Sequence, residues 1–181
     1  MKTKPKDILK RIQTIVTAEQ LGVPASDLEA FYKRVDELLN ADQGPVQAKE
    51  LTVFTDGAAR GNPGPSGIGI VVVDSGKVIK EYYEFIGEQT NNVAEYRACI
   101  KGLQLAQEYG AQTVSLNSDS ELMTKQLNGQ YKVKNKVLLG LYCQATDLIN
   151  AFQSVQVNHM YRNRNTKADR LANIAIDAHC E

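Results

Sequence analysis

Apolar residues among the first 41 positions recur at the spacing of an α-helix. The first run has the apolar residues Ile8, Ile12, Ile15 and Val16, and the second has Leu28, Phe31, Val35, Leu38 and Leu39. Because a repeat of three to four residues places side chains on one face of a helix, the pattern predicts two amphipathic helices.

The segment LGVPASD separates the two runs. Pro24 cannot continue a helix and predicts the end of the first, while Ser26 or Asp27 can cap the second by accepting backbone N–H bonds. The segment NADQGPVQAKE that follows contains Gly44 and Pro45 and is typical of a linker. We therefore predict a helical hairpin and linker over residues 1–45 and a main domain over residues 46–181.

The main domain opens with three segments rich in β-branched and aromatic residues, ELTVFTD, GIGIVVVD and KVIKEYYEFI. The short turn DSGK between the last two predicts an antiparallel hairpin. The period then changes to that of helices in NNVAEYRACIKGLQLAQEYG, SELMTKQLNG, KNKVLLGLYCQATDLINAF and TKADRLANIAIDAH, with the strands TVSLNSD and VQVNHMY among them. Strands that alternate with helices after a meander predict an α/β domain with a mixed sheet covered by helices.

Composition and charge narrow the class of protein. Of 181 residues, 43% are hydrophobic and 23% are charged, which fits an ordered globular chain and excludes a disordered or fibrous one. Lys and Arg total 21, as do Asp and Glu, so the formal net charge is zero. This balance excludes a protein that binds nucleic acid through bulk positive charge, and any such binding must depend on local groups.

The cysteines and the apolar segments bear on location. Cys99, Cys143 and Cys180 lie far apart without a CxxC spacing, so neither a disulfide framework nor a thiolate zinc site is predicted. The N-terminus lacks the apolar core of a signal peptide, and no stretch is long enough to span a bilayer. We expect a cytoplasmic protein without a membrane partner.

Acidic side chains stand where the predicted strands end. Asp56 ends the first strand and Asp119 the fourth, so parallel pairing of these strands would put the two side by side. Glu95 and Asp169 lie in the first turns of two helices. Carboxylates at close range repel one another, so the set predicts bound cations, and oxygen ligands favour Mg²⁺ or Mn²⁺. One strand-end aspartate alone is more often a turn residue or a helix cap.

Four segments of the main domain resemble, in the same chain order, the signature segments of type 1 ribonuclease H. They are TDGAARGNPGPSGIG, TNNVAEYRA, LNSDSELM and HMYRNRNTKADRLAN. The resemblance implies a five-stranded mixed sheet, three antiparallel strands followed by two parallel ones, with helices on both sides. It also implies hydrolysis of the RNA strand of an RNA·DNA hybrid with two Mg²⁺ or Mn²⁺ ions, leaving 5′-phosphate and 3′-hydroxyl ends.

The chain resembles the archaeal-like short form of this family. It has no Trp, and the segment LNGQYKVKNKV is too short to contain the basic helix and Trp-rich loop of some bacterial members. Any grip on the DNA strand must therefore come from other residues.

Matched motif by motif, the resemblance assigns catalysis and metal binding to Asp56, Glu95, Asp119 and Asp169. It assigns substrate contacts to Gly61, Asn62, Thr90, Asn91 and Asn92. A side-chain amide donates and accepts at once, as the 2′-hydroxyl of RNA does, so the asparagines suit RNA recognition, and Thr90 would contact a DNA phosphate. Asn91 and Asn92 also stand where a helix N-cap would.

Two residues compete for a role in proton transfer or product release. His159 stands ten residues before Asp169, where many family members carry a histidine, and histidine titrates near neutral pH. Arg162, also a candidate substrate contact, resembles the arginine that archaeal-type relatives carry in this loop. A strand-end histidine that is merely exposed to solvent is the remaining interpretation of His159.

Two alternatives to this enzyme stay open: a catalytically silent nucleic-acid-binding module and another nuclease of the same fold. The complete acidic set favours an enzyme, because a binding module has no need of four carboxylates that repel one another. Residues 1–45 would pack on the main domain or dimerise, giving a monomer or a dimer. Alternatively they would assist substrate binding through Lys2, Lys4, Lys6, Lys10 and Arg11.

Overall fold

The computed structural model describes residues 5–41 and 49–180, and the chain divides into two compact units, Met1–Gln47 and Ala48–Glu181. The predicted boundary between residues 45 and 46 lies outside the described residues, as do the linker residues Gly44 and Pro45.

The described residues of the first unit form three helices, where the apolar pattern predicted two. They are α1 (Pro5–Ile15), α2 (Ala18–Leu21) and α3 (Ala25–Ala41). The added break arises at Thr17, whose hydroxyl accepts a hydrogen bond from the backbone N–H of Gln20 while the Gln20 side chain accepts one from the backbone N–H of Thr17. This reciprocal cap starts a new helix inside the predicted one.

The start of α3 also differs from the prediction. The carbonyl of Pro24 accepts hydrogen bonds from the N–H groups of Asp27 at 3.1 Å and Leu28 at 3.3 Å. The helix therefore begins directly after Pro24, and Ser26 lies with Asp27 inside its first turn. The predicted cap at Ser26 or Asp27 is wrong, because the helix starts after Pro24, which lies two to three residues earlier.

The second unit is built on a five-stranded sheet. The strands are β1 (Glu50–Ala59), β2 (Gly64–Asp74), β3 (Lys77–Gln89), β4 (Thr113–Ser118) and β5 (Ser154–His159), in the order β3-β2-β1-β4-β5. β2 pairs antiparallel with β1 and β3, whereas β4 pairs parallel with β1 and β5. The predicted mixed sheet, three antiparallel strands followed by two parallel ones, is confirmed.

Helices cover both faces of this sheet. They are α4 (Asn91–Glu108), α5 (Glu121–Leu127), α6 (Lys136–Asn150) and α7 (Thr166–Cys180). Along β2 the side chains alternate between faces: Ile68 and Ile70 join the core formed with α4 and α6, whereas Gly69 faces α7. A Cβ atom on Gly69 would stand 2.1 Å from the carbonyl oxygen of Ala168, so α7 lies directly on the strand.

The connections between helices agree with the predicted short form. Residues 128–135 join α5 to α6 through turns and bends, without a further helix. None of the described helices has the length and apolar content that a membrane crossing needs.

A close contact between β1 and α4 sets the position of α4 at the edge of the sheet. A Cβ atom on Gly57 would stand 2.2 Å from the backbone nitrogen of Glu95 and from the backbone carbon of Ala94. No larger residue fits at Gly57 unless α4 moves away from β1. Gly57 thus sets the depth at which α4 presents Glu95 to the sheet.

Candidate active site

Three carboxylates converge at one edge of the sheet. Oxygen atoms of Asp56, Glu95 and Asp119 all lie within 4.8 Å of one another. The parallel ladder between β1 and β4 ends at the pair Thr55 and Ser118, so Asp56 and Asp119 are the next residues along the two neighbouring strands. The prediction that parallel pairing brings these two together holds in this geometry.

The end of β1 differs from the sequence prediction. Asp56 was predicted to end the strand, but β1 continues to Ala59 because residues 56–59 still pair with β2. Asp56 therefore stands where β1 loses its partner β4 and keeps its partner β2. This arrangement opens one side of the strand toward α4 and the carboxylate of Glu95.

Glu95 reaches the cluster from α4 and is buried there. It is 7% exposed, and its Oε1 accepts a hydrogen bond of 3.4 Å from Nδ2 of Asn91. Its Oε2 is buried and has no hydrogen-bond partner among the described residues. Burial, with the charges of Asp56 and Asp119 beside it, raises the pKa of Glu95 well above its usual value.

The pKa of Asp56 is raised for the same reasons. Burial raises its pKa from 3.8 to about 7, and the carboxyl groups of Asp119 and Asp169 add to the rise, while Arg162 opposes it. Asp56 and Glu95 are buried acids with raised pKa values, and one oxygen of Glu95 has no hydrogen-bond partner among the described residues. A hard cation bound here would stabilise the ionised form of both carboxylates. The oxygen-only donor set therefore fits Mg²⁺ or Mn²⁺, with Asp56, Glu95 and Asp119 as the ligands.

Asp169 lies beside this cluster but faces a different partner. Arg162 donates to its Oδ1 from Nε at 3.1 Å and from the terminal nitrogen Nη2 at 2.6 Å. The Asp169 side chain is 28% exposed, and its negative charge contributes to the raised pKa of Asp56. Of the four acids predicted to bind metal, three come within reach of one ion and the fourth is paired with an arginine.

The two candidates for proton transfer are placed differently. His159 is the last residue of β5, pairs with Ser118 of β4, and its exposed ring contacts the edge of the Tyr161 ring at 6.4 Å between centroids. Arg162 begins a short 3-10 helix, Arg162–Arg164, and binds Asp169 directly. The geometry thus connects Arg162, and not His159, to one of the predicted carboxylates.

Three of the predicted substrate-binding residues, Asn62, Thr90 and Asn92, line one groove. Gly61 has a φ of 105° in the turn between β1 and β2, and Oδ1 of the next residue, Asn62, accepts a hydrogen bond of 3.2 Å from the backbone N–H of Asn91. This bond fixes the turn against the start of α4. Asn62, Thr90 and Asn92 line a cavity of about 360 Å³, which continues to the start of α6.

The cap of α4 is Thr90, not either asparagine. The Thr90 hydroxyl accepts a hydrogen bond of 3.4 Å from the backbone N–H of Val93. Asn91 and Asn92 lie in the first turn and are exposed. The suggestion that these two residues cap the helix is therefore wrong, and their side chains are available to a ligand except where Asn91 contacts Glu95.

Sequence reasoning missed Asn165, which precedes α7. Asn165 is 1% exposed, and its Nδ2 donates to Oδ1 of Asp119 at 2.9 Å and to the carbonyl oxygen of Thr55 at 3.0 Å. In the sequence it stands in the polar run RNRNT, which is typical of an exposed loop. No local signal marks it as buried.

Comparison with known proteins gives a consistent family. A family model described as reverse transcriptase-like matches residues 54–175. Ribonuclease HI of Halobacterium salinarum is 37% identical over 134 residues, which is 74% of this chain and 67% of that protein. A bifunctional protein of Mycobacterium tuberculosis is 46% identical over 131 residues, 71% of this chain, but the match spans only 36% of the relative's length.

Solved structures agree with the sequence matches. The N-terminal ribonuclease H domain of the M. tuberculosis protein, solved as a fusion with maltose-binding protein, superposes with a TM-score of 0.71 at 44% identity, covering 73% of this chain and 96% of that one. A ribonuclease H1 isolated from compost, solved in complex with an RNA/DNA hybrid, gives 0.70 at 39% identity, covering 72% and 99%.

The raised pKa of Asp56 predicts that removal of its charge stabilises the protein without metal. In EDTA, Asp56→Asn should melt above the natural chain, with a margin of several degrees at pH 8 and a smaller one at pH 5. The native pKa of about 7 lies above the unfolded value near 3.8, so ionisation costs the native state free energy progressively between about pH 4 and pH 7. Thermal unfolding followed by circular dichroism measures the margin.

Saturating Mg²⁺ at pH 8 should raise the melting temperature of the natural chain and raise that of Asp56→Asn much less, because one ligand is lost. Asp147→Asn removes an exposed carboxylate from α6 and is the control; it should leave both measurements close to those of the natural chain. If the difference in melting temperature between Asp56→Asn and the natural chain in EDTA shrinks as the pH rises, the raised pKa of Asp56 is contradicted.

Proposed function

The chain belongs to the type 1 ribonuclease H family, and on that premise we propose that it is an endoribonuclease that hydrolyses the RNA strand of RNA/DNA hybrids. The observation that carries the proposal is the convergence of Asp56, Glu95 and Asp119 at the edge of the sheet. The solved relative in complex with an RNA/DNA hybrid supports the choice of substrate.

The carboxylates of Asp56, Glu95, Asp119 and Asp169 would hold two Mg²⁺ or Mn²⁺ ions. Such ions supply activation of the attacking water and stabilisation of the leaving oxygen, and cleavage of this kind leaves 5′-phosphate and 3′-hydroxyl ends. The residues of the chain contribute the rest: Gly57 keeps Glu95 at its depth, and the β1–β4 ladder keeps Asp56 beside Asp119. Arg162, held at Asp169, would bring a positive charge to the same edge.

The groove beside the cluster suits recognition of the RNA strand. Asn62, Asn91 and Asn92 present amides that can donate to and accept from a 2′-hydroxyl, and the Gly61 turn lets the backbone come close to a sugar. Thr90 would contact a phosphate of the DNA strand, although its hydroxyl oxygen also accepts the capping bond of α4. A hydroxyl keeps its proton available for donation in that arrangement.

The alternatives are a silent nucleic-acid-binding module and a different nuclease of the same fold. A module without chemistry gains nothing from two buried acids with raised pKa values, which lower its stability. The groove lined by Asn62 and Asn92 favours an RNA-containing substrate over duplex DNA.

We also propose that the protein is located in the cytoplasm. Cys99 and Cys143, the cysteines whose side chains the structure describes, are free thiols, and a reducing compartment keeps thiols in that state.

We assign the helical unit to self-association rather than to substrate binding. Ile12 of α1 and Phe31 of α3 are 42% and 59% exposed, and Leu9 is the one buried apolar side chain among the described residues of this unit. Helices with exposed apolar side chains gain stability when another surface covers them. A second copy of the same unit would provide that cover.

Hybrid cleavage tests the proposed activity directly. The purified chain should cut a labelled RNA/DNA hybrid in Mg²⁺ or Mn²⁺, and Asp119→Asn should lower the rate by roughly 10³-fold or more, since ligand loss removes several kcal/mol of transition-state stabilisation. Asp147→Asn should cleave at the natural rate. Failure of the natural chain to cut any hybrid with either ion would sink the proposal.

Single substitutions separate the roles of His159 and Arg162. Because Arg162 binds Asp169, whereas the ring of His159 contacts the ring of Tyr161, Arg162→Ala should lower kcat by roughly 10- to 100-fold, and His159→Ala should change it by less than about 3-fold. Turnover of hybrid at saturating Mg²⁺ measures both. A larger loss in His159→Ala than in Arg162→Ala reverses the assignment.

The mass of the full chain in solution tests the helical unit. The natural chain should sediment as a dimer of the 20.0 kDa chain, and the double variant Ile12→Glu with Phe31→Glu should sediment as a monomer with an unchanged KM for hybrid. Leu139→Glu, an exposed apolar position on α6, is the control and should leave the mass unchanged. A natural chain that is monomeric at all concentrations, or a raised KM in the double variant, contradicts self-association.

A further inference from the structure

Asn165 is buried although it belongs to a short polar loop. It follows the 3-10 helix Arg162–Arg164, immediately precedes α7, and is 1% exposed. Its backbone carbonyl accepts a hydrogen bond of 3.1 Å from the N–H of Asp169. A polar side chain withdrawn from water to this extent costs free energy unless its hydrogen bonds return it, so the partners of this amide decide what it does.

Both hydrogens of the Asn165 amide are used. Nδ2 donates to the carbonyl oxygen of Thr55 at 3.0 Å and to Oδ1 of Asp119 at 2.9 Å. Each partner is an acceptor, so only the donating end of the amide can face them. The other end, Oδ1, is buried without a hydrogen-bond partner among the described residues. The two hydrogen bonds of Nδ2 therefore offset the cost of burying Oδ1 without a partner.

The amide links the two strands that carry the acidic cluster. Thr55 is the last residue of β1 in the ladder with β4 and directly precedes Asp56, whereas Asp119 directly follows β4. One planar group that bonds to Thr55 and Asp119 fixes the distance of the Asp119 carboxylate from the backbone of β1. It thereby fixes that carboxylate relative to Asp56 on the next residue.

The charge of the donor also matters. A lysine or arginine at this place would neutralise Asp119 and compete with a cation, whereas a neutral amide orients the carboxylate and leaves its charge intact. Asp169 shows the contrast, because Arg162 holds it with a full positive charge. Donation to Oδ1 leaves the second oxygen of Asp119 for a metal ion.

We propose that Asn165 is the positioning residue for Asp119, and that it sets the affinity of the acidic cluster for divalent cations. The proposal rests on the proposed function, because it assumes that the cluster binds catalytic metal. It makes no claim on contact between Asn165 and substrate. Partners that orient a ligating carboxylate contribute about 10- to 100-fold to metal affinity or activity in other metal sites.

Metal binding without nucleic acid is the primary measurement. Asn165→Leu keeps the approximate volume and removes both donors, and Asn165→Ser keeps one donor. By isothermal titration with Mn²⁺ we expect binding about 10-fold weaker in Asn165→Leu and an intermediate loss in Asn165→Ser. In hybrid cleavage, the Mg²⁺ concentration for half-maximal rate should rise by a similar factor. KM for hybrid at saturating Mg²⁺ should stay within about 2-fold.

Asn128→Leu is the matched control for a purely structural effect. Asn128 is the C-cap of α5, and its Nδ2 donates to the carbonyl oxygen of Val157 at 3.0 Å. Its replacement therefore also breaks an amide-to-backbone bond, but one that involves no carboxylate. This variant should bind Mn²⁺ as the natural chain does, whatever the change in its melting temperature in EDTA. If Asn165→Leu fails to fold, Asn165→Ser decides the matter.

The proposal is overturned if the Asn165 variants bind Mn²⁺ like the natural chain, if Asn128→Leu weakens binding equally, or if the natural chain binds no Mn²⁺. Weaker Mn²⁺ binding in the Asn165 variants together with an absence of cleavage by every chain upholds the positioning role and refutes the proposed activity. The two ideas therefore fail separately.

Discussion

The structure depends on holding three carboxyl groups close together in a buried corner, where they repel one another and lose hydration. The parallel pairing of β1 with β4 creates this corner, because it ends at Thr55 and Ser118 and places Asp56 and Asp119 next. The cost is visible in Asp56, whose pKa rises to about 7. A chain that merely had to fold would gain stability by removing these acids.

Three restraints keep the acids in place against this repulsion. Gly57 admits α4 to van der Waals contact with β1, so Glu95 cannot withdraw with its helix. Asn165 bonds to Asp119 from the other side of the strand ends. The buried residues around Leu51, Val53 and α4 supply the apolar burial that offsets the strain. The acids are thus held by contacts from both sides of the sheet and not by any local sequence.

The sequence contained enough to predict the sheet, because the changes of apolar period and four ordered segments agree with one topology. The helix α2 was also predictable in principle, since Thr17 and Gln20 have the spacing of a capping box, a signal that the apolar repeat hid. The true end of β1 was not predictable from the strand itself, because it depends on continued pairing with β2. Asn165 lies 110 residues from Thr55 and 46 from Asp119, so its role exists only in the folded chain.

The formal net charge of zero counts every carboxylate as ionised, and this count overstates the negative charge of the acidic cluster near neutral pH. Because Asp56 has a pKa of about 7 and that of Glu95 is also raised, protons partly occupy the place that cations would take. The two divalent ions of the proposed function would add a formal charge of about +4 and displace these protons, so metal binding would be coupled to proton release. Asp169 is more exposed than Asp56 and Glu95 and forms an ion pair with Arg162. In the proposed enzyme, the positive charge that attracts a polyanionic substrate would therefore come from the bound ions as well as from Arg162.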